Sequence, residues 1–215
     1  MPPKAKITKR MILDTVLDIT RETGFETVNA RSVANKLQCS TRPIFTCYEN
    51  MDALKNEFLI FAYEYYNQYV INYQNSVDIS PYLIHPLSYI EFAQEETYLF
   101  KLLFISDMDL QMTDIKDFYK EVDNEKRAEA FSKAIGIRLE CAKVIFFDLF
   151  LYTHGIAVLT VMKKLTLDRN NAEKMLMNIL SAFIKQEKPD WNSAIWCWMY
   201  KGGEYENKSL LNWFL

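Results

Sequence analysis

Apolar residues recur at helical spacing through the first part of the chain. Ile12, Val16 and Ile19 lie three or four positions apart, and acidic residues occupy the opposite side of the same turns. This pattern predicts an amphipathic helix over residues 6–23. Gly24 follows at the position where a backbone with positive φ often ends a helix, so we expect the helix to stop there.

Two short helices are predicted behind it. Asn29 is a favourable N-cap, and Val33 and Leu37 lie one helical turn apart in the segment that follows. Ser40 is another favourable N-cap, and it predicts a short helix that reaches Tyr48. Three helices within the first fifty residues, with a turn of a few residues between the last two, have the spacing of a helix-turn-helix motif.

Pro43 lies at the start of the third predicted helix. With Ser40 as the N-cap, Pro43 is the third helical residue and costs little, because first-turn N–H groups have no intrahelical partner. The same geometry leaves residues 41–43 exposed and turns Ile44 and Phe45 toward the core. In a helix-turn-helix motif the first residues of this helix enter the major groove of DNA.

Helical periodicity continues from Met51 onward. A break is expected between Pro81 and Pro86, and the sequence has no internal repeat, low-complexity tract or flexible linker. The pattern predicts an all-α protein, with a three-helix N-terminal domain at 1–50 and a larger helical domain at 51–215. The later helices are expected near 124–136, 139–165 and 170–187.

Charge is unevenly distributed along the chain. The net charge is −3, which taken alone argues against a nucleic-acid binder. Residues 1–50 nevertheless hold eight Lys or Arg against five Asp or Glu, a net charge of +3, and the remainder holds 17 against 23, a net charge of −6. A basic head on an acidic body suggests that one end of the molecule binds a polyanion.

Cysteine, histidine and hydropathy patterns bear on cofactors and location. The four cysteines form no metal-binding motif, and His85 and His154 are not a metal pair by spacing. We predict no metal, no cofactor and, without a signal peptide, a cytoplasmic protein with reduced thiols. The apolar run 144–162 approaches the length of a membrane span but contains Asp148, so a helix buried within the protein is favoured over a membrane location.

Several motifs in the first part of the chain occur together. They are Gly24-Phe25, the helix start from Asn29 to Ala34, Cys39-Ser40, Ile44-Phe45, Tyr48 and the sequence NMDAL at 50–54. On these motifs, residues 8–55 resemble the DNA-binding domain of TetR-family transcriptional regulators. The segments YIEFAQEETYLFKLLF (89–104) and YTHGIAVL (152–159) are similar to the ligand domain of the TetR subgroup named for a Trp-His-Gly motif, with Thr153 in place of its Trp.

The resemblance gives roles to side chains around the second and third helices. It implies that Arg31 contacts DNA, whereas the sequence alone is equally consistent with an ordinary exposed arginine. Arg42 either pairs with guanine or contacts only a phosphate, and the Pro43 ring has the chemistry to pack on a thymine methyl. The family usually has Tyr at the position of Phe45, which lacks the phosphate-binding hydroxyl, and Thr46 is the candidate substitute.

Two further groups of side chains complete the expected DNA-binding surface. The family often has Lys where this chain has Met51, and Lys55 or the helix start at Asn50 would replace it. The basic residues near the N-terminus are either solvated or contact the DNA backbone or minor groove. The complete set of predicted DNA-binding residues is Lys6, Lys9, Asn29, Arg31, Ser40, Thr41, Arg42, Pro43, Phe45, Thr46, Asn50 and Lys55.

The resemblance also implies that the helical body dimerises and binds a small molecule. The ligand is expected between the long helix from Met51 and the aromatic helices of the body, with Asp148 or His154 as a polar anchor. For any one of the aromatic side chains, packing is favoured over a pocket, although together they could line an apolar cavity. A structural role suits His154 at least as well, and Asp148 also suits a hydrogen bond in the core or a subunit interface. The candidate pocket residues are Phe61, Tyr65, Tyr69, Phe92, Phe100, Phe104, Phe146, Asp148, Phe150 and His154. The candidate interface residues are Leu159, Met162, Leu176, Leu180 and Phe183.

Two classes of function remain. One is a regulator, either a repressor or an activator, that binds a pseudo-palindromic double-stranded DNA operator as a homodimer and responds to a small hydrophobic or aromatic effector. The other is an all-helical enzyme or lipid-binding protein whose basic head does not bind DNA. The sequence has no nucleophile elbow, phosphate loop or carboxylate–histidine metal repeat. A ligand-released repressor is therefore the favoured hypothesis, and enzymatic activity is not expected.

Overall fold

The computed structural model describes residues 6–106, 112–120 and 122–192 of the chain. Within these ranges every regular element is helical and no strand forms, so the all-α class predicted from the sequence is confirmed. A single turn of 3₁₀ helix covers Phe25–Thr27, and a short π-helix covers Leu102–Ser106. The α-helices are α1 (Lys9–Thr23), α2 (Ala30–Lys36), α3 (Arg42–Cys47), α4 (Met51–Ser76), α5 (Pro81–Glu95), α6 (Thr97–Lys101), α7 (Ile115–Phe118), α8 (Val122–Ile135), α9 (Leu139–Val161) and α10 (Arg169–Glu187).

The chain divides into two compact units. The first comprises Met1–Gln68 and Glu95–Met108, and the second comprises Tyr69–Gln94 and Asp109–Leu215. The first division therefore falls within α4, whereas the sequence pattern predicted a boundary after residue 50. The difference arises because α6 packs against α1, and the first part of α4 packs against the segment after α1, so both belong with the N-terminal helices.

In the first unit, the ends of α1 follow from its capping residues. The Thr8 hydroxyl accepts a hydrogen bond from the Met11 N–H, so the helix begins at Lys9 and not at the predicted residue 6. Gly24 ends the helix as expected: its φ is 93°, and its N–H donates to the Thr20 carbonyl. A side chain at this position would be strained, which explains the glycine.

A reciprocal pair of hydrogen bonds starts α2. The Asn29 side-chain oxygen accepts from the Arg31 and Ser32 N–H groups, and the Ser32 hydroxyl accepts from the Asn29 N–H. This capping box confirms the predicted N-cap. The turn behind α2 places Gln38 at a φ of 53°, a conformation that glycine usually supplies.

The start of α3 differs from the prediction. Thr41 and not Ser40 is the N-cap, so Arg42 and Pro43 are the first two helical residues. The reason lies in which carbonyl accepts the first hydrogen bonds. Pro43 has no N–H to offer, and the N–H groups of Ile44 and Phe45 both donate to the Thr41 carbonyl. Ser40 therefore accepts no bond from the first turn.

Apolar side chains from α1 to α4, from α6 and from the π-helix form the core of the first unit. Ile12 and Val16 of α1 are fully buried, as their spacing predicted. Phe58 of α4 is also fully buried, and its ring stacks on Phe25 with ring centres 5.4 Å apart. The other fully buried apolar side chains here are Val33, Ile44, Leu54, Ala62, Leu99, Phe100 and Leu103.

The second unit has a core built from α5 and α8 to α10. α9 packs against α8 and α10, and Leu83 and Leu87 of α5 are fully buried in the same cluster. Pro86 lies inside α5, so the break predicted between Pro81 and Pro86 is wrong. Burial of the flanking turns compensates for the backbone hydrogen bond that Pro86 cannot donate.

The apolar helix α9 buries one face and exposes the other. It ends at Val161, four residues before the predicted end, and Lys163 follows with a φ of 56°. Among the described residues α9 alone is long and apolar enough to span a membrane by length and composition, a test that core helices also pass. The sequence predicted a helix buried within the protein, and the structure bears this out for one face only. The buried residues are Ala142, Ile145, Leu149, Thr153, Ile156, Ala157 and Val161.

Candidate nucleic-acid interface

The exposed face of α3 combines a cation with an aromatic ring. Arg42, Phe45 and Thr46 are spaced three and four residues apart, so they share one side of the helix, while Ile44 is fully buried on the other. Phe45 is 48% exposed, so the expectation that it turns toward the core is wrong. The Thr46 hydroxyl donates to the Arg42 carbonyl at 2.9 Å and is not available as the expected phosphate donor in this conformation.

The start of α2 presents a second exposed cation. Arg31 is the second residue of α2 and its side chain is exposed. Asn29, also predicted to bind DNA, has another role here. Its side-chain oxygen caps α2, and its amide donates to the Thr27 carbonyl at 3.0 Å. Asn29 therefore caps the turn that carries Arg31, and its contact with DNA stays a prediction.

Four of the seven cations in the described part of the head pair with carboxylates. Lys9 pairs with Glu57, Arg10 with Asp14, Arg21 with Glu96, and Lys36 with Glu22. In the described part of the head, three exposed cations have no carboxylate within ion-pair distance. They are Lys6, Arg31 and Arg42. All three are among the predicted DNA-binding residues.

The remaining predicted DNA-binding residues surround these cations. Ser40 is exposed and Thr41 and Pro43 are half-buried at the start of α3. The Asn50 side chain accepts from the Ala53 N–H at 2.8 Å, so it covers one of the N–H groups expected to face a phosphate. The half-buried Lys55 lies over the Phe25 ring, with its ammonium 5.7 Å from the ring centre.

Glu57 of α4 fixes the end of α3. Its carboxylate accepts from the Tyr48 hydroxyl at 3.3 Å and pairs with the Lys9 ammonium at 2.6 Å. Lys9 also lies over the Tyr48 ring, 4.7 Å from its centre. Burial, together with the Glu57 carboxylate, raises the pKa of Tyr48, so the phenol stays protonated and donates. Lys9, predicted to bind DNA, thus holds α1, α3 and α4 together.

Glu96 ties α1 to the start of α6. The carboxylate is buried and receives two hydrogen bonds from the Arg21 guanidinium, at 2.7 Å from Nε and 2.6 Å from Nη2. The Tyr65 hydroxyl donates a third at 2.9 Å. The hydrogen bond to Glu96 raises the pKa of Arg21, and burial followed by the same carboxylate raises the pKa of Tyr65. Arg21 therefore stays charged and Tyr65 stays protonated at neutral pH.

The predicted ligand-pocket residues are divided between the two units. Phe61, Tyr65, Phe100 and Phe104 belong to the first unit, and the other six belong to the second. Phe100 is fully buried and its ring is tilted against that of Phe104, with ring centres 5.2 Å apart. Phe92 is also fully buried and packs edge-on against Tyr69, with ring centres 5.1 Å apart. These contacts are those of packed cores, and the ligand site stays a prediction.

In the second unit, three predicted pocket residues lie in one aromatic cluster. Phe146 and Phe150 contact the buried Phe118, at 6.2 and 4.8 Å between ring centres. Phe150 also stacks on His154, with ring centres 5.7 Å apart. The His154 Nδ1 atom lies 2.9 Å from the Tyr89 hydroxyl oxygen. Burial lowers the pKa of His154, so the imidazole is neutral at pH 7. This arrangement explains His154 as a hydrogen-bonded structural residue.

Asp148 lies apart from this cluster, on an open groove of about 230 Å³ between α9 and α10. Val144, Ile145 and Phe183 supply the apolar part of its lining, and Glu187 supplies a carboxylate. Among the described residues, no group of three or more His, Cys, Asp or Glu side chains could hold a metal ion.

The predicted dimer-interface residues separate into two classes. Leu176 and Leu180 are 0% and 1% exposed and pack inside the core of the second unit, so their assignment to an interface is wrong. A side chain buried within its own chain has no surface to offer a partner. Leu159 and Met162 are exposed by 46% and 58%, and Phe183 is half-buried.

The carboxylates that organise the head were not predicted. Glu57 and Glu96 lie outside residues 1–50, and no local pattern connects Glu96 with Arg21, 75 positions away. The position of Glu57 on the side of α4 that carries Phe58 and Leu54 was a weak signal. The pairings of Lys9 and Arg21 follow only from the three-dimensional packing.

No protein-family model matches this sequence, and a search of curated proteins gives no match. The resemblance to TetR-family regulators therefore stays a prediction based on the motifs and their geometry.

Proposed function

We propose that this protein is a TetR-like transcriptional regulator that binds double-stranded DNA through α2 and α3 as a helix-turn-helix. The observation that carries the proposal is the distribution of unpaired charge. Arg31 and Arg42 are exposed at the starts of α2 and α3, without an acidic partner in the described structure, although most other cations of the head are paired. Unpaired guanidinium groups are the ones able to bind phosphate or guanine without first losing an ion pair.

The local geometry of α3 supports the same proposal. Arg42 is its first residue, and the first residues of the second helix of a helix-turn-helix contact base edges in the major groove. Tyr48 and Glu57 hold the other end of α3 against α4. A recognition helix must be held in this way, because a small misplacement removes the hydrogen bonds to base edges.

The test begins with selection of a duplex from a random-sequence DNA library by the full chain. Arg31→Ala and Arg42→Ala are then expected to weaken binding to the selected duplex by about 1–3 kcal/mol, or about 5- to 150-fold. Affinity should also fall steeply as salt rises, because phosphate contacts release counterions.

Lys36→Ala is the matched control, because it removes one positive charge from the head at a cation already paired with Glu22. This variant should bind the selected duplex within about threefold of the unaltered protein. Equal effects of Lys36→Ala, Arg31→Ala and Arg42→Ala would mean that net charge alone drives binding. Failure to select any duplex would refute the proposal.

The proposal extends to a homodimer that reads a two-fold related pair of half-sites, since one recognition helix covers only a few base pairs. Its support is the exposed face of α9. Val144, Leu151 and Leu159 of α9 and Met162 directly after it are each between 46% and 58% exposed. They lie on one side of the helix, with the exposed Gly155 among them. An apolar stripe of this kind suits an isologous contact with a second copy.

A small apolar effector completes the proposed mechanism, in which the protein is a repressor released by that ligand. Such a ligand changes DNA affinity only if it binds the DNA-free conformation more tightly, and a coupling of about 1–3 kcal/mol gives about 5- to 150-fold release. Titration of flat hydrophobic compounds into the protein–operator complex tests this step. Compounds that bind without changing operator affinity would leave the regulator without a sensor function.

A further inference from the structure

The α3 surface offers one hydrophobic group directly beside its unpaired cation. Phe45 lies one helical turn from Arg42, and nearly half of its surface is exposed to water. The remaining polar group on this face is the Thr46 hydroxyl, whose proton is already donated to the Arg42 carbonyl. Within α3, the exposed face therefore presents a guanidinium and a phenyl ring, with no free hydroxyl or amide donor.

This combination matches specific groups in the major groove. A guanidinium pairs with the O6 and N7 acceptors of guanine, and an apolar side chain contacts the C5-methyl group that thymine alone carries there. Adenine and cytosine are recognised by amide or carboxylate side chains, and α3 exposes neither type. The exposed side chains of α3 thus have the chemistry to contact guanine and the thymine methyl group.

We propose that Phe45 determines operator specificity by packing its ring against the C5-methyl group of a thymine that lies next to the base pair contacted by Arg42. This inference rests on the proposed function and deepens it. Phe45 would then contact a base, whereas the tyrosine usual at this position in TetR-family regulators binds a phosphate. Removal of a single buried methyl group costs about 0.8 kcal/mol, which is about fourfold in affinity.

Deoxyuridine provides the direct test, because it differs from thymine only by the missing methyl group. Each thymine of the selected half-site is replaced in turn, and binding of the full chain is measured. One replacement next to the Arg42 contact is expected to weaken binding about fourfold. Phe45→Ala should weaken binding to the unmodified duplex at least as much and should no longer distinguish thymine from deoxyuridine at that position.

Three variants separate this effect from others. Phe45→Leu keeps an apolar side chain and should retain part of the discrimination. Ile60→Ala removes an exposed apolar side chain from α4, where Ile60 is 64% exposed, and should retain all of it. Pro43→Ala tests the neighbouring ring as the source of the methyl contact.

The outcomes are distinguishable. Equal responses of the unaltered protein and Phe45→Ala to every deoxyuridine replacement would overturn the inference, as would loss of discrimination in Pro43→Ala but not in Phe45→Ala. If either of these results is found and Arg42→Ala still weakens binding, the proposed function stands and only the role of Phe45 fails. If no duplex is selected, both fail together.

Discussion

Replacing Arg21 by methionine would leave a buried carboxylate without its cation. Glu96 is 6% exposed and accepts hydrogen bonds from Arg21 Nε, Arg21 Nη2 and the Tyr65 hydroxyl. In Arg21→Met only the Tyr65 hydrogen bond remains. Methionine keeps most of the length and apolar contact of the arginine stem, so the change isolates the charge and its two hydrogen bonds.

The expected loss of stability is about 2 kcal/mol. Breaking a fully buried ion pair costs about 3–5 kcal/mol, because the remaining charge is stranded in a medium of low polarity. The Arg21 side chain is 45% exposed, however, so water already screens part of this interaction and can enter when the guanidinium is removed. Glu96→Gln should lose less than Arg21→Met, since a neutral amide costs less to bury and its oxygen still accepts from Tyr65.

Urea unfolding followed by far-ultraviolet circular dichroism measures this loss. Lys36→Met is the matched control, because its partner Glu22 is 64% exposed, and it should change stability by less than about 0.5 kcal/mol. The double variant Arg21→Met with Glu96→Gln should be more stable than the sum of the single changes predicts. If Arg21→Met is no less stable than Lys36→Met, the role assigned to the buried pair is refuted.

Four further predictions follow from backbone geometry, titration and surface exposure. Gly24→Ala should destabilise the protein by about 1–2 kcal/mol in urea unfolding, because a φ of 93° strains any residue that carries a Cβ. Gly155→Ala should stabilise the monomer by about 0.5–1 kcal/mol, because its Cβ would meet open space within a helix. Burial lowers the pKa of His85 from 6.5 to about 3 and also lowers that of His154, so protons bind the unfolded chain preferentially. Stability should therefore fall below pH 6.5, by up to about 1.4 kcal/mol per pH unit for His85, and unfolding of His85→Gln should show a flatter slope between pH 6.5 and about 5. Leu159→Glu should shift sedimentation from dimer to monomer, and a monomeric unaltered protein at micromolar concentration would contradict the proposed interface.

Local signals in the sequence were sufficient to predict a helix end where a single residue determines the backbone conformation. Gly24 and Asn29 mark the end of α1 and the start of α2 because positive φ and N-cap hydrogen bonds have strong residue preferences. The N-cap of α3 was misplaced by one residue because Ser40 and Thr41 are both good caps. Only the missing N–H of Pro43 and the bonds made by the next two residues decide between them.

Periodicity identifies a buried stripe but does not identify what buries it. Leu176 and Leu180 were assigned to a subunit interface, yet their apolar spacing serves the core of their own unit. Phe45 shows the opposite error, because an aromatic residue beside Ile44 was expected to share its burial. The pairing of Arg21 with Glu96 depends on the packing of α1 against α6, for which the sequence contains no local signal.

The shortness of α3 limits how its surface can be transferred to another protein. A helix of six residues is well below the length at which an isolated helix is stable in water, about 12–15 residues. Its conformation depends on burial of Ile44 and Tyr48 and on the carboxylate of Glu57. A synthetic peptide with the α3 sequence would therefore be unfolded, and grafting that segment alone would not carry its Arg42 and Phe45 geometry. The smallest segment that could be transferred with this geometry includes α1, α2, α3 and the beginning of α4. Any redesign of the α3 surface must therefore exchange side chains within this intact segment.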